Sequence, residues 1–228
     1  MRFPNESTEY RAARDELLAA EAELRRHEEA VAAQRRTLPP GGEIAQDYEF
    51  EEWVDAKGDT RPVRMSELFG DKTTLLLYSF MFRGSERGEL LEAPCPSCSA
   101  IIDAIDGAVP TLTTQVAFAV VTKPPVERIR AHASARGWEH ARLLSSQHTT
   151  YNRDYGAEDE AGNQWPILTV FTRRDGRIRH FWSSELFDAP REEAQDARHV
   201  DFMWPLWLML DRTPGGRGEW SPSVPYDA

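Results

Sequence analysis

Two stretches decide the fold of this chain: LLLYSFMF at residues 75–82 and CPSC at residues 95–98. The first is a near-continuous apolar run, which is typical of a strand buried on both faces in the middle of an α/β sheet. The second opens a segment with a helical pattern, and Pro96 suits the first helical turn. A strand that leads to two cysteines at a helix N-terminus is an arrangement used for thiol–disulfide exchange.

Cys95 and Cys98 are the only cysteines among the 228 residues. The free N–H groups and the dipole of a helix N-terminus favour a thiolate, and the thiolate is the species that attacks a disulfide. The motif therefore predicts Cys95 as an exposed nucleophile and Cys98 as a buried resolving thiol. In this interpretation Pro96 and Ser97 tune the redox potential, and the cycle needs no bound cofactor.

Other interpretations of the two cysteines stay open. A structural disulfide would close a loop too short to remove much chain entropy. A zinc site needs four ligands, but the chain has no second CxxC and its six histidines include no i, i+4 pair. We therefore predict no metal ligand, although a metal carrier that combines the cysteines with a histidine such as His180 is one alternative. A non-catalytic binding scaffold with inert, reduced thiols is the other.

The composition limits the partners and the compartment. The hydrophobic share of 40% is enough for a packed core, and the net charge of −11 argues against binding to nucleic acid or to anionic membranes. Residues 1–10 contain no apolar core of a secretory signal, and the apolar stretch at residues 202–210 is too short to span a bilayer. We therefore expect a cytoplasmic protein, and in that compartment a CxxC is more often catalytic or metal-binding than a structural disulfide.

The N-terminal part predicts one long helix over residues 8–37, which lack Gly and Pro. Apolar residues recur at every seventh position from Tyr10 to Leu38, a narrow row that is typical of a helix docked on its own domain or on a second subunit. A homodimer through this helix is therefore a candidate. The PPGG stretch at residues 39–42 ends the helix. The sequence thus predicts a helical arm, residues 1–40, and an α/β domain, residues 41–228.

The remaining patterns predict the elements of that domain. A β-hairpin is expected first, then strands that alternate with helices, then a second hairpin around the DG pair at residues 175–176 and a last helix bent or restarted near Pro205. The ranges are 47–65 and 167–182 for the hairpins, 74–82, 116–121 and 141–145 for the strands, and 95–107, 126–136 and 191–211 for the helices. Crossover helices imply parallel central strands, and the closing hairpin implies an antiparallel edge.

This order, with a CxxC at the end of a central strand, resembles the thioredoxin fold. More closely, the chain resembles a bacterial thioredoxin-like family catalogued as domain of unknown function 899, whose members are described as predicted dithiol–disulfide oxidoreductases. The resemblance covers residues 8 to 217 approximately. It rests on the Ala/Glu/Arg-rich helix and on four motifs: YSFMF at 78–82, CPSCS at 95–99, DGAVP at 106–110 and LDRTP at 210–214.

The resemblance implies a three-layer α/β/α sandwich with a mixed central sheet, an N-terminal β-hairpin extension and a long N-terminal helix. It also implies a thiol–disulfide oxidoreductase that acts on a disulfide-containing protein or on a small-molecule disulfide. Thioredoxins carry a cis-proline opposite the CxxC, just before the closing hairpin, and Trp165-Pro166 fits that position. Pro166 would then lie against the sulfurs, and the backbone of Trp165 would receive an extended substrate; the alternative is an ordinary proline at the start of a strand.

The chain departs from the thioredoxin pattern in two respects. The loop from Phe82 to Cys95 is long, and the strand at residues 75–82 has no acid to supply the buried carboxylate that helps the resolving cysteine of thioredoxin. The related peroxiredoxin site needs a proline seven residues before its reactive cysteine and a Thr or Ser three residues before it. Gly88 and Glu92 occupy those positions here, which argues against peroxidase chemistry.

Overall fold

A computed structural model of the chain describes residues 2–54, 59–83, 93–190, 193, 198–216 and 218. The chain divides into two compact units, residues 1–41 and 42–228. Residues 55–58 of the first predicted hairpin and most of the loop before the cysteines lie outside the described residues. In the described part of the chain, no helix combines the length and the apolar character that a membrane-spanning segment requires.

The first unit contains the long helix α1, Thr8–Arg36, which confirms the predicted helix. Its N-terminus is capped by Ser7, whose side chain accepts a hydrogen bond from the Tyr10 N–H at 3.0 Å. The apolar side chains in the seven-residue row are all exposed, from 38% for Val31 to 58% for Leu24. An exposed apolar row of this length supports an interface on α1, but it does not say what covers it.

The second unit is built on a mixed sheet of seven strands in the order β2-β1-β7-β6-β3-β8-β9 among the described residues, beside a small β4-β5 pair. The pairs β3-β6 and β6-β7 are parallel, whereas the other neighbours are antiparallel. The strands are β1 Glu49–Trp53, β2 Thr60–Arg64, β3 Thr74–Phe80, β4 Phe82–Arg83, β5 Ala93–Pro94, β6 Ala117–Thr122, β7 Leu143–Ser145, β8 Ile167–Arg174 and β9 Arg177–Ser183. The predicted mixed sheet with an N-terminal hairpin extension is confirmed.

Helices cover both faces of this sheet, which confirms the three-layer arrangement. They are α2 Met65–Leu68, α3 Pro96–Ile105, α4 Val109–Leu112, α5 Val126–Arg136, α6 Tyr151–Asp154 and α7 Pro205–Leu210, with 3₁₀ turns at Asp106–Ala108 and Asp201–Met203. The last helix, predicted over residues 191–211 with a bend or restart near Pro205, is α-helical only over Pro205–Leu210 within the described residues, so the restart is confirmed and the helical part before it is wrong there. Proline lacks an N–H and clashes with a preceding turn, so the helix begins afresh there.

The central strand β3 divides the core into two clusters, because successive side chains point to opposite faces. One face, here called the dithiol face, buries Tyr78 and Phe80 with both cysteines and the apolar sides of α3 and α5. The other face, here called the tyrosine face, buries Leu75 and Leu77 with an aromatic group. That group consists of Tyr48, Phe50, Phe69, Tyr151 and Phe171. The predicted burial of this strand on both faces is confirmed.

Candidate dithiol site

Cys95 is held at the junction of the central strand and helix α3. Its N–H donates to the carbonyl of Met81, one residue beyond the end of β3, at 3.1 Å. The two ends of the long loop are joined by the pairs Phe82–Pro94 and Arg83–Ala93. The two ends of the loop therefore lie side by side, so its length does not separate the cysteines from the strand end.

The N-terminus of α3 is anchored through its N-cap residue, Cys95, with Pro96 in the first turn. The N–H and the hydroxyl of Ser99 both donate to the Cys95 carbonyl at 2.9 Å. The same hydroxyl oxygen lies 2.8 Å from Nε2 of His132 on α5. Because its single hydrogen is used on the carbonyl, the Ser99 oxygen accepts here, and His132 Nε2 carries the proton. Burial lowers the pKa of His132, and the nearby Arg136 lowers it further.

Both sulfurs are shielded from solvent. Cys95 is 1% exposed and Cys98 is 0% exposed, and neither forms a disulfide, whereas Pro96 and Ser97 between them are half-buried. The prediction of an exposed Cys95 is therefore wrong, and that of a buried Cys98 is correct. Position at a helix N-terminus does not fix exposure, because exposure depends on what packs against that terminus.

The apolar packing around the cysteines comes partly from the other end of the chain. Residues 198–204, here called the C-terminal segment, contain a 3₁₀ turn that packs against α3. Met203 and Trp204 belong to the same buried cluster as the two cysteines. His199 Nε2 donates to the Pro166 carbonyl at 2.6 Å, which attaches the segment beside β8. This contact could not be found from the sequence, since nothing local connects His199 with Pro166, 33 positions earlier.

Trp165 and Pro166 directly precede the start of β8. Ser79 pairs with Ile167 at the end of the β3–β8 ladder, and the Phe82 N–H donates to the Gln164 side chain at 3.1 Å, so the stretch between Gln164 and Ile167 lies near the strand end that binds Cys95. The Trp165 N–H already donates to the Ala157 carbonyl at 2.9 Å. Its indole is 46% exposed. A substrate strand could therefore use the Trp165 carbonyl and indole, but not the N–H while that bond persists.

The polar group that faces the resolving cysteine is a tyrosine on the central strand. Tyr78 is 0% exposed and belongs to the same buried cluster as both cysteines; burial raises its pKa, and the nearby Cys98 and Cys95 sulfurs raise it further. Burial raises the pKa of Cys98, and the Cys95 sulfur raises it further, whereas the Tyr78 hydroxyl and the Met81 backbone lower it. Sequence reasoning missed Tyr78 because it treated the residue only as part of an apolar strand.

His180 does not lie with the cysteines. Its ring packs against Tyr155 and Phe171 on the tyrosine face, with centroids 6.0 Å from each. The cysteines lie on the opposite face of the sheet. Within the ranges that the structure describes, no three His, Cys, Asp or Glu side chains are grouped as a metal site would require. A metal carrier that uses the cysteines together with His180 is therefore ruled out by position.

The comparisons with known proteins agree with this architecture. The family model described as "Bacterial protein of unknown function (DUF899)" matches residues 1–226. None of the curated proteins matches the chain. Among solved structures, an X-ray structure of a peroxiredoxin is similar with a TM-score of 0.50 and 12% identity, over 73% of this chain and 98% of that one.

Two further structures come from Plasmodium species. The Plasmodium falciparum antioxidant protein, a 1-Cys peroxiredoxin, has a TM-score of 0.50 and 11% identity over 75% of this chain and 99% of that one. The reduced 2-Cys peroxiredoxin of Plasmodium vivax has a TM-score of 0.44 and 16% identity over 72% and 96%. Likeness at such identities shows the fold and not the activity. The chain therefore belongs to the bacterial family of unknown function DUF899, and its α/β domain has the thioredoxin-like fold.

Proposed function

We propose that this protein is a thiol–disulfide oxidoreductase that uses Cys95 and Cys98 as its redox pair. The observation that supports this most directly is the position of Cys95 as the N-cap of α3, with its N–H bonded to the end of the central strand. Cys98 follows within the first turn, where it can reach the same sulfur. Such a pair can alternate between a dithiol and a short-loop disulfide without other groups. The substrate would be a protein disulfide or a small-molecule disulfide, in the cytoplasm.

The proposed cycle has two exchange steps. The Cys95 thiolate attacks one sulfur of the substrate disulfide, so that a mixed disulfide forms and the other substrate sulfur leaves as a thiolate and takes up a proton. Cys98 then attacks the Cys95 sulfur, a Cys95–Cys98 disulfide forms, and the second substrate thiolate leaves with the proton that Cys98 gives up. The dithiol loses two electrons and the substrate disulfide gains them. A dithiol reductant returns the pair to its starting state.

The burial of Cys95 adds one requirement to this cycle. A sulfur that is 1% exposed cannot meet a protein disulfide until part of its surroundings moves. The C-terminal segment is one part that would move, since Met203 and Trp204 pack in the same cluster and His199 is bonded to Pro166. The half-buried Pro96 and Ser97, which we propose as tuning residues, and the exposed indole of Trp165 would form the adjoining surface.

The same burial favours one alternative, a non-catalytic scaffold whose thiols stay reduced and inert. In that case the surface used for binding would lie elsewhere, and the exposed apolar row of α1 is a candidate for it. This row also supports our proposal of a homodimer through the N-terminal helix. The two functions differ in whether Cys95 forms covalent intermediates.

Trapping of mixed disulfides separates the two functions. If Cys98 resolves the intermediate, a Cys98→Ser variant accumulates mixed disulfides at Cys95 when it is incubated with a reducible disulfide such as that of intact insulin. A Cys95→Ser variant and the double variant are the matched controls and form none. The adducts are counted by mass spectrometry of the intact protein after acid quenching. Equal, near-zero labelling of all three variants would leave the scaffold function and refute exchange.

A further inference from the structure

We propose that Tyr78 is a further catalytic residue of this dithiol site, and that its hydroxyl donates a hydrogen bond to the Cys98 sulfur as that sulfur becomes a thiolate. This inference rests on the proposed exchange function and adds a residue to it. It concerns the resolving step, in which the buried Cys98 must lose a proton before it can attack the mixed disulfide.

The position of Tyr78 is fixed by its strand. Its residue pairs with Val120 of β6 on one side and with Leu168 of β8 on the other, in the middle of the seven-stranded sheet. The ring is 0% exposed and belongs to the same buried cluster as both cysteines. A side chain whose backbone is paired on both sides in the middle of a sheet has little freedom to move. The Tyr78 hydroxyl is therefore expected to stay near the sulfurs throughout a catalytic cycle.

The hydroxyl of Tyr78 also has no competing partner in the described residues. Its oxygen is buried and has no hydrogen-bond partner there in the resting structure, the Cys98 sulfur included. Leaving such a group without a good partner costs about 1–3 kcal/mol. A neutral thiol is only a weak acceptor, whereas a bond to a charged acceptor is roughly twice as strong as a neutral one. The interaction therefore strengthens when Cys98 ionises, which is the property that lowers a barrier rather than only stabilising the resting state.

The pKa shifts of Tyr78 and Cys98 indicate which of the two groups donates the hydrogen bond. Burial and the neighbouring sulfur charge both raise the pKa of Tyr78 well above its ordinary value. The hydroxyl therefore keeps its proton at neutral pH and acts as a donor, not as a base. Burial likewise raises the pKa of Cys98, and the Tyr78 hydroxyl opposes this shift. The proton released by Cys98 passes to the departing substrate thiolate, so the resolving step needs no additional base.

The test compares two tyrosines that are both fully buried on opposite faces of the same sheet. Tyr78→Phe removes the hydroxyl at the sulfurs, and Tyr151→Phe removes a hydroxyl on the tyrosine face. The probe is 5,5′-dithiobis(2-nitrobenzoate), whose first thionitrobenzoate reports attack by Cys95 and whose second reports resolution by Cys98. We expect Tyr78→Phe to slow the second release about 10- to 100-fold at pH 7 and to move its pH profile upward. The first release should stay within about twofold of the starting protein, and Tyr151→Phe should leave both releases unchanged.

A second measurement does not depend on turnover. In a Cys95→Ser background, the ¹³Cβ chemical shift of labelled Cys98 is followed against pH. Adding Tyr78→Phe should raise the pKa of the Cys98 thiol by about one unit or more, whereas adding Tyr151→Phe should not change it. An unchanged Cys98 pKa would overturn the inference, as would an equal effect of the two variants. If the starting protein forms no adduct with the probe but the Cys98 pKa still shifts, the exchange function fails and the Tyr78 contact stands.

Discussion

The two faces of the central sheet each contain a partly buried serine–histidine pair, but the serine of each pair has a different further hydrogen-bond partner. On the dithiol face, His132 Nε2 lies 2.8 Å from the hydroxyl of Ser99. On the tyrosine face, His180 Nε2 lies 2.8 Å from the hydroxyl of Ser183. In both pairs burial lowers the pKa of the histidine. The two pairs differ in the group to which the serine hydroxyl donates. The Ser99 hydroxyl donates to the carbonyl of Cys95, whereas the Ser183 hydroxyl donates to the hydroxyl of Thr169 at 3.3 Å.

The same contrast holds for the buried tyrosines. The neighbours of Tyr78 are the two sulfurs, and the neighbours of the Tyr151 hydroxyl are Thr169 and Ser79. The groups around the Tyr151 hydroxyl are further hydroxyls, which cannot take part in thiol–disulfide exchange. The network on the dithiol face contains the pair of groups that can be oxidised. Residue type alone therefore does not identify a functional group in this protein; the identity of its partner does.

The largest effect is expected from the tyrosine face, and it should be one of stability. Phe171 is 0% exposed and its ring lies 4.8 Å from that of Tyr155. Phe171→Ala should lower the free energy of unfolding by about 3–5 kcal/mol, because it removes buried contacts and leaves a cavity. Urea denaturation measures this, and Leu186→Ala, at a side chain that is 53% exposed, is the control with little change. A loss below about 1 kcal/mol for Phe171→Ala would contradict the assignment of this aromatic cluster to the core.

A smaller effect distinguishes the two serine–histidine pairs. Ser99→Ala removes the acceptor of His132 and one of the bonds to the Cys95 carbonyl, and should cost about 1–3 kcal/mol. Ser183→Ala removes the acceptor of His180 and should cost a similar amount. Only the first change loosens the helix turn that carries Cys95. We therefore expect faster alkylation of Cys95 by iodoacetamide in Ser99→Ala and an unchanged rate in Ser183→Ala.

Equal alkylation rates in the two serine variants would contradict this distinction. The stability of each variant, measured by urea denaturation, provides the necessary control, since general unfolding would expose Cys95 in both. The comparison is meaningful when the two variants lose similar free energy. A faster reaction of Ser183→Ala alone would show that the tyrosine face, and not the α3 turn, governs access to the sulfur.

The sequence predicted the parts of this structure that depend on local pattern. The apolar run at 75–82 is sufficient to predict a central strand, and the CPSC at 95–98 is sufficient to place a helix N-terminus after it. The burial of Cys95 was mispredicted because it depends on packing from several parts of the chain, including residues 198–204, which are more than 100 positions away. Tyr78 was overlooked for a similar reason: its role depends on a contact with Cys98 across the core.

The smallest predicted effect concerns pH and compares the two histidines directly. A histidine whose folded-state pKa lies below its ordinary value of about 6.5 resists protonation in the fold. The unfolded chain then binds more protons below that pH, so the stability present at neutral pH is lost as the pH falls from about 6.5. Burial lowers the pKa of both His132 and His180. The charges near the two histidines differ. At His132, Arg136 lowers the pKa further and Asp103 raises it, whereas at His180 the charge of Glu185 raises the pKa and so opposes the effect of burial.

We therefore expect His132→Gln to reduce the loss of unfolding free energy between pH 7 and pH 5 more than His180→Gln does. Glutamine keeps a neutral donor in each position, so the hydrogen bonds to Ser99 and Ser183 can persist while the titration is removed. The carboxylates that also titrate in this range are common to both variants and cancel in the comparison. Urea denaturation at a series of pH values measures both slopes. A larger effect of His180→Gln would show that the charge near the dithiol face is better screened than the position of Arg136 implies.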